Sequence, residues 1–165
     1  VQHLIALGHS RIGLISGMAG GPMAFTVPSV RREAYRTALE QAGLDHGPNL
    51  EAIGNFTIAG GHEAMNALLA TKDVPSAVYA MSDEMAFGAL MAIRDAGMRV
   101  PDDISIVGFD DHDLAAVVQL TTVNQRVEEH GAVAARALLD HMTSGEARHE
   151  VMPTELVVRN STARA

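Results

Sequence analysis

The chain has 165 residues, 47% of them hydrophobic and 19% charged, with 12 basic against 20 acidic residues and a formal net charge of −8. That is one globular domain's worth of sequence. Its acidic balance and single lysine (Lys72) exclude a phosphate-gripping nucleic-acid surface on these residues, no apolar run approaches the roughly 20 residues that cross a bilayer, and the absence of cysteine excludes disulfides and thiolate metal sites and fits a reducing cytoplasm.

Residues 1–7 read as the end of a helix stopped by Gly8. Their start in mid-pattern, without the features of a secretory signal, reads as a piece of a longer chain. Residues 11–16 (RIGLIS) form a short apolar strand, and the glycines and proline of 17–22 a loop. Pro28-Ser29 opens a helix with Ser29 as N-cap, and Val30, Ala34, Ala38 and Ala42 recur at helical spacing until Gly43. Residues 51–56 predict a weak strand. Thr57 caps a helix running to about residue 71, with Ala64, Met65, Leu68 and Leu69 inward. Residues 77–81 (AVYAM) are a buried strand, followed by Ser82-Asp83 and a helix over 84–96 with Met85, Ala89, Ile93 and Ala96 on one side. Residues 100–109 (VPDDISIVGF) form a strand whose apolar centre lacks alternation, which suits burial on both faces of a parallel sheet. After Asp111 the pattern changes. Residues 120–125 (LTTVNQ) are extended, and 127–142 form a helix with Val127, Gly131, Ala134, Ala135, Leu138 and Met142 in one stripe. Residues 154–159 (TELVVR) are a last strand.

Up to Asp111 the order β-α-β-α-β-α-β predicts a doubly wound α/β fold, a mostly parallel sheet with helices on both faces. Ligands of such sheets bind beyond the carboxyl ends of the strands. Four polar segments fall there: Ser16-Gly17, Asn55-Phe56, Ser82-Asp83 and Asp110-Asp111. A carboxylate, a hydroxyl, an amide and an aromatic face around one crevice suit a polyhydroxylated small molecule. Plainer roles stand beside each: Ser82 or Asp83 as a helix cap, Asp110 as a solvated loop acid, Phe56 as a packing residue. Arg31 falls in the first turn of its helix, where the dipole disfavours a cation without a compensating partner. Its forked donors suit a carboxylate or vicinal hydroxyls, and the plain alternative is a surface arginine.

Chemistry of other kinds finds little footing. Asp110-Asp111-His112-Asp113 has the composition of a hard-metal site, but successive residues at a strand end point to opposite sides. His62-Glu63 begins like a zinc-protease helix, yet position 66 is Asn66. Residues 17–21 fit neither a dinucleotide fingerprint nor a P-loop, and no Ser-His-Asp set stands out. No cofactor and no metal is predicted. A flavodoxin-like or hydrolase-type enzyme using Asp83 and Asp110 is the catalytic rival.

Taken together and in order, HLIALGHSRIGLISG (3–17), RREAYRTALEQAGL (31–44), SDEMAFGALMAIRDAGMRVPDDISIVGFDD (82–111), LTTVNQ (120–125) and LVVRNST (156–162) resemble the effector-binding half of LacI/GalR (lactose-repressor-like) transcription regulators. The resemblance implies a periplasmic-binding-protein-like core that takes a small effector, usually a sugar or purine, between two subdomains. It also implies a cytoplasmic, non-enzymatic homodimer that reaches operator DNA only through a helix-turn-helix domain absent from this chain. Residues 8–124 and 145–165 then belong to the C-terminal effector-binding subdomain. Residues 1–7 and 125–144 are helices of the other, mostly absent one, left with exposed apolar stripes that drive association. Within RREAY, Arg31 matches the arginine four residues before the aromatic of R-x-x-G-Y, and Asp110 matches the first acid of G-[FY]-D-D. Ser82 stands where members carry Asn, Phe56 at a ligand-stacking aromatic position, and Gln125 at the return crossover. Ala34 in place of Gly is tolerated inside a helix, whereas Ser82 in place of Asn shortens the hydrogen-bonding reach. Half a cleft implies weak or absent effector binding by this chain alone. The nearest rival on the same fold is the sugar-binding component of a transport system.

Overall fold

The computed structural model describes residues 1–18, 26–145, 147 and 149–165; most of the loop expected over 17–22 lies outside the described residues. Strands β1 (Ile12–Ser16), β2 (Glu51–Ile53), β3 (Ala77–Ala80) and β4 (Ser105–Val107) form one parallel sheet in the order β2-β1-β3-β4. Every residue of β1, β3 and β4 is buried, the physical reason their sequences do not alternate. Paired residues share a face, so Leu14, Tyr79 and Val107 look one way and Gly13, Val78 and Ile106 the other.

Helices cover both faces, as a doubly wound fold requires. On the Gly13 side, α3 (Ile58–Leu69) and α4 (Asp83–Asp95) pack against each other, burying Met65, Leu68, Met85, Ala89 and Ile93. On the other side lies α2 (Val27–Gln41), whose buried Tyr35 donates its hydroxyl to the Ile12 carbonyl at 2.7 Å. This helix starts earlier than Ser29. Thr26 is its N-cap residue and Pro28 lies in its first turn, where a missing N–H costs nothing and the fixed φ favours the helix. Its inward face also differs from the alanine register: Pro28, Tyr35 and Leu39 are buried while Val30 is 65% exposed. Tyr and Leu remove far more area from water than Ala, so they set the helix's rotation.

Every predicted strand is shorter than expected, and for two of them the backbone gives the reason. β2 ends at Ile53, because Asn55 and Phe56 adopt φ of 52° and 57° and turn the chain into α3. Thr57 caps that helix as predicted, accepting from Gly60 N at 3.0 Å. Residues 100–103 are a turn rather than part of β4: Arg99 N donates to Asp103 Oδ2 at 2.8 Å and Asp103 N to Arg99 O at 2.9 Å. An Asp side chain bonding local backbone competes with a strand ladder, and here it wins.

Beyond β4, a short unpredicted helix α5 (Asp113–Val117) is capped by His112, whose Nδ1 accepts from Leu114 N at 3.1 Å. Then β5 (Thr122–Asn124) and β6 (Glu155–Val157) pair antiparallel, with α6 (Val127–Ser144) between them in the chain. β5 lies against the end of β4, through Gly108 N to Thr121 O and Asp110 N to Val123 O, both 2.9 Å. No residue of α6 is buried. The opposite holds for α1 (Gln2–Ala6), against the expectation of an orphan helix at 1–7. Leu4 is fully buried and His3 Nε2 lies 3.0 Å from Thr162 Oγ1. Next to it, buried His9 reaches Ser76 Oγ at 2.9 Å with Nδ1, and Ser105 Oγ and the Ala163 carbonyl at 3.1 Å with Nε2. These bonds fix α1 to the sheet and to the C-terminal tail.

Candidate functional site

Four parallel strands put their carboxyl ends on one rim, and the predicted segments follow there. Arg31 stands in the second turn of α2, not the first, so the dipole argument loses force. Its guanidinium carbon lies 3.7 Å from the centre of the Phe109 ring, and Nη1 donates to the Met81 carbonyl at 2.6 Å, at the end of β3. Stacking on a ring face is a geometry that the planar guanidinium suits. Its neighbours are committed elsewhere: Arg32 and Arg36 both pair with Glu51, at 3.1 and 2.7 Å, tying α2 to β2. Among the described residues Arg31 pairs with no carboxylate.

Asp110 is the acid that faces it. The residue has φ 125°, held by its N–H bond to Val123 O, and Gln125 Nε2 donates to its Oδ1. Burial pushes the carboxyl up to about 6; the Arg31 charge and the Gln125 bond pull it down, while the Asp83 and Glu84 charges push further up. Tyr79 lies in the same field, its hydroxyl pushed up to about 12 chiefly by burial, so it stays a neutral donor. Arg31 and Asp110 thus feel each other's charge without touching. A hydroxyl accepts from a guanidinium and donates to a carboxylate, so the two groups together have the chemistry to hold one.

The remaining predicted residues divide. Gln125 joins Asp110 directly. Ser82 does not present its hydroxyl to the cleft: it is buried and serves as N-cap of α4, accepting from Met85 N at 3.3 Å. Asp83, fully buried, is a structural tie. It accepts from Thr122 Oγ1 at 2.6 Å and His112 N at 2.8 Å, and its own N–H donates to Phe109 O at 2.8 Å. Burial raises its carboxyl above the ordinary range, and those two donors oppose the rise. Gly108 makes room for it, since a Cβ there would stand 2.1 Å from Asp83 Oδ1. Phe56 is half-buried at the far end of the rim, its ring against Gly17, where a Cβ would come within 1.9 Å. It thus closes the β1–β2 end, while Arg31 and Asp110 mark the β3–β4 end.

Two hollows flank this pair. One of about 420 Å³ is lined by Arg31, Tyr79 and Phe109 together with Ala34, Tyr35 and Ala38 of α2 and the polar side chains of Gln2 and His3 on α1. The other, about 400 Å³, is lined by Asp110, Asp111, Asn124 and Arg126. Both are within the size range of small-molecule sites. Among the described residues, no group of three or more His, Cys, Asp or Glu side chains could hold a metal ion, and no helix is long and apolar enough to cross a membrane. Sequence reasoning missed Phe109 and Tyr79 as partners of Arg31. The signal was available: period-two alternation puts both on the α2 face of their strands.

A model of the periplasmic binding protein-like domain matches residues 1–162. A regulator of Thermobifida fusca, "HTH-type transcriptional regulator CelR", is 39% identical over 97% of this chain and 47% of its own length. A solved "transcriptional regulator CelR-cellobiose complex" is 38% identical, with a TM-score of 0.87 over 97% of this chain and 49% of that one. The lac repressor dimer bound to operator and an anti-inducer is 31% identical, with a TM-score of 0.86 over 98% of this chain and 56% of that one. The chain spans about half the length of the curated relatives it matches. It belongs to the periplasmic binding protein-like domain family, in the branch carried by LacI-type transcriptional regulators.

Proposed function

We propose that this chain is the effector-sensing part of a DNA-binding transcription regulator and that its effector is a neutral, hydroxyl-rich molecule, a sugar above all. The observation that carries the reading is the Arg31–Asp110 pair: a cation with no carboxylate partner among the described residues faces a half-buried acid steadied by Gln125. A sugar offers vicinal hydroxyls that both accept and donate, whereas a carboxylate ligand would meet Asp110 with like charge. The apolar ring of Phe109 adds a surface against which sugar C–H groups can lie. The cellobiose in the complex of the related CelR agrees with this class. In this reading the protein carries out no catalysis, and α6 completes a second subdomain through the apolar side chains it exposes.

A homodimer is part of the proposal. Leu114, Val117 and Val118 of α5 and its C-cap expose 49, 75 and 45% of their surface side by side, and the related lac repressor is a dimer. Titration of the isotope-labelled chain with cellobiose, D-ribose and a purine base, followed by NMR, tests the site. Millimolar binding by a sugar, with shifts at Arg31, Asp110 and Gln125, is the expected result. Sugars that leave those residues unmoved while the purine shifts them would replace the sugar by a base. Half a cleft binds weakly, so each ligand is taken to about 100 mM, and silence of all three there would sink the reading.

A further inference from the structure

The two passes of chain that connect the sheet with α6 meet at one carboxylate, and it is not that of Asp110. Asp111 follows in the same turn, with φ 56°, and its side chain is directed toward the strand pair. Oδ1 accepts from Arg159 Nη2 at 2.7 Å, just past β6, and Oδ2 from Asn124 Nδ2 at 2.9 Å, at the end of β5. The ion pair is shielded, with 16% and 17% of the two side chains exposed. Low exposure and a charge-assisted geometry make such a contact stiffer than a surface pair.

Both partners are tied further. Arg159 Nη1 donates to Leu120 O at 2.8 Å, and its backbone N–H donates to Thr121 Oγ1 at 2.9 Å. Asn124 Oδ1 accepts from Arg126 N at 2.6 Å, and Arg126, with φ 52°, is the residue from which α6 starts. Asp110 and Asp111 share a peptide unit, so a rotation that draws Asp110 toward a ligand also turns the backbone carrying Asp111. With the clamp intact that turn is passed to Asn124 and Arg159. With the clamp cut it is absorbed in the loop.

We propose that Asp111 is a positioning residue that couples occupancy of the effector cleft to the placement of α6, its carboxylate locking β5 and β6 to the turn that carries Asp110. The coupling rests on the effector reading of Asp110 given above; the clamp itself does not. Two variants of the 165-residue chain test it: Asp111→Asn, which keeps the shape, and Arg159→Gln, which cuts the same contact from the other side. In amide hydrogen exchange without ligand, both should speed exchange over residues 122–130 by about tenfold and leave α3 and α4 unchanged. Exchange that rises throughout the chain in both variants, or nowhere, overturns the clamp.

Cellobiose is the probe for coupling. In the wild type its NMR shifts at Arg31 and Asp110 should be accompanied by shifts at 126–130. In Arg159→Gln the dissociation constant should stay within about threefold while 126–130 cease to respond; in Asp111→Asn, whose side chain borders the second hollow, the readout is the lost response at 126–130 alone. A response at 126–130 that survives in both variants overturns the coupling. Cellobiose and D-ribose that both leave the wild type unmoved at about 100 mM, beside localised exchange in the variants, overturn the coupling and the sugar reading together and leave Asp111 a clamp of the fold alone.

Discussion

Gln125 donates its side-chain amide to the Asp110 carboxylate, so the first residue after β5 steadies the acid at the rim of the sheet. The acid is nonetheless partly stripped of water, and burial pushes its carboxyl up to about 6 from an ordinary 3.8. The folded chain therefore keeps this proton to higher pH than the unfolded chain. The stability this group contributes is present at low pH and is lost as pH rises between the two values.

Asp110→Asn should consequently stabilise the fold while damaging the site. Urea unfolding is expected to give a gain of about 1 kcal/mol near pH 7.5, discounted for partial exposure, and none near pH 4. Sugar binding should fall at least about tenfold in the same variant. A loss of stability near pH 7.5 would show that the carboxylate supports the fold, and unchanged sugar binding that it does not hold the ligand.

His9 should act in the opposite sense. Burial lowers its ring below the ordinary 6.5, although the Ala163 carbonyl pulls the other way. The unfolded chain then takes up the proton first, so stability is present above about pH 6.5 and falls as pH drops below it. His9→Asn should cost about 2 kcal/mol at neutral pH by cutting bonds to Ser76, Ser105 and Ala163, and should flatten the acid limb of the stability curve. An unchanged acid limb in the variant would assign it to another group.

Asp83 carries a larger share of the fold. Asp83→Ala leaves the Thr122 hydroxyl and the His112 N–H without their acceptor in a buried site. The expected cost is about 3 kcal/mol, with Asp83→Asn between that and wild type. Gly108→Ala should cost a comparable amount, because its Cβ would displace the carboxylate. Urea curves for the three variants check the ranking; Asp83→Asn as harmful as Asp83→Ala would mean that charge outweighs the number of acceptors.

The two exposed apolar faces make different predictions. Val117→Asp in α5 should shift a dimer to monomer in sedimentation velocity with little change in melting temperature. Leu138→Asp in α6, 60% exposed in wild type, should lower hydrophobic-dye binding and leave the dimer intact. Dissociation by the α6 substitution alone would move the interface.

The sheet was legible in the residues because burial on both faces leaves uninterrupted apolar runs, and the rim was legible because each run hands over to polar residues. Strand lengths were not. Asn55 and Phe56 look extended in sequence but adopt positive φ, and Asp103 bonds the backbone of Arg99 where an apolar strand was expected. The small alanines of α2 repeat at the right interval, yet Tyr35 and Leu39 decide which side turns inward, an outcome set by area and not by period. At the candidate site, residue chemistry pointed to Arg31 and Asp110, and the family resemblance to Gln125. Only packing could assign Ser82 to a helix cap, turn Asp83 and Asp111 into ties between distant strands, and lay Phe109 beneath the arginine. The division follows from range: patterning and turn chemistry act over a few neighbours and can be read along the chain, whereas a partner 39 or 48 residues away, as for Asp83–Thr122 and Asp111–Arg159, exists only once the chain has closed upon itself.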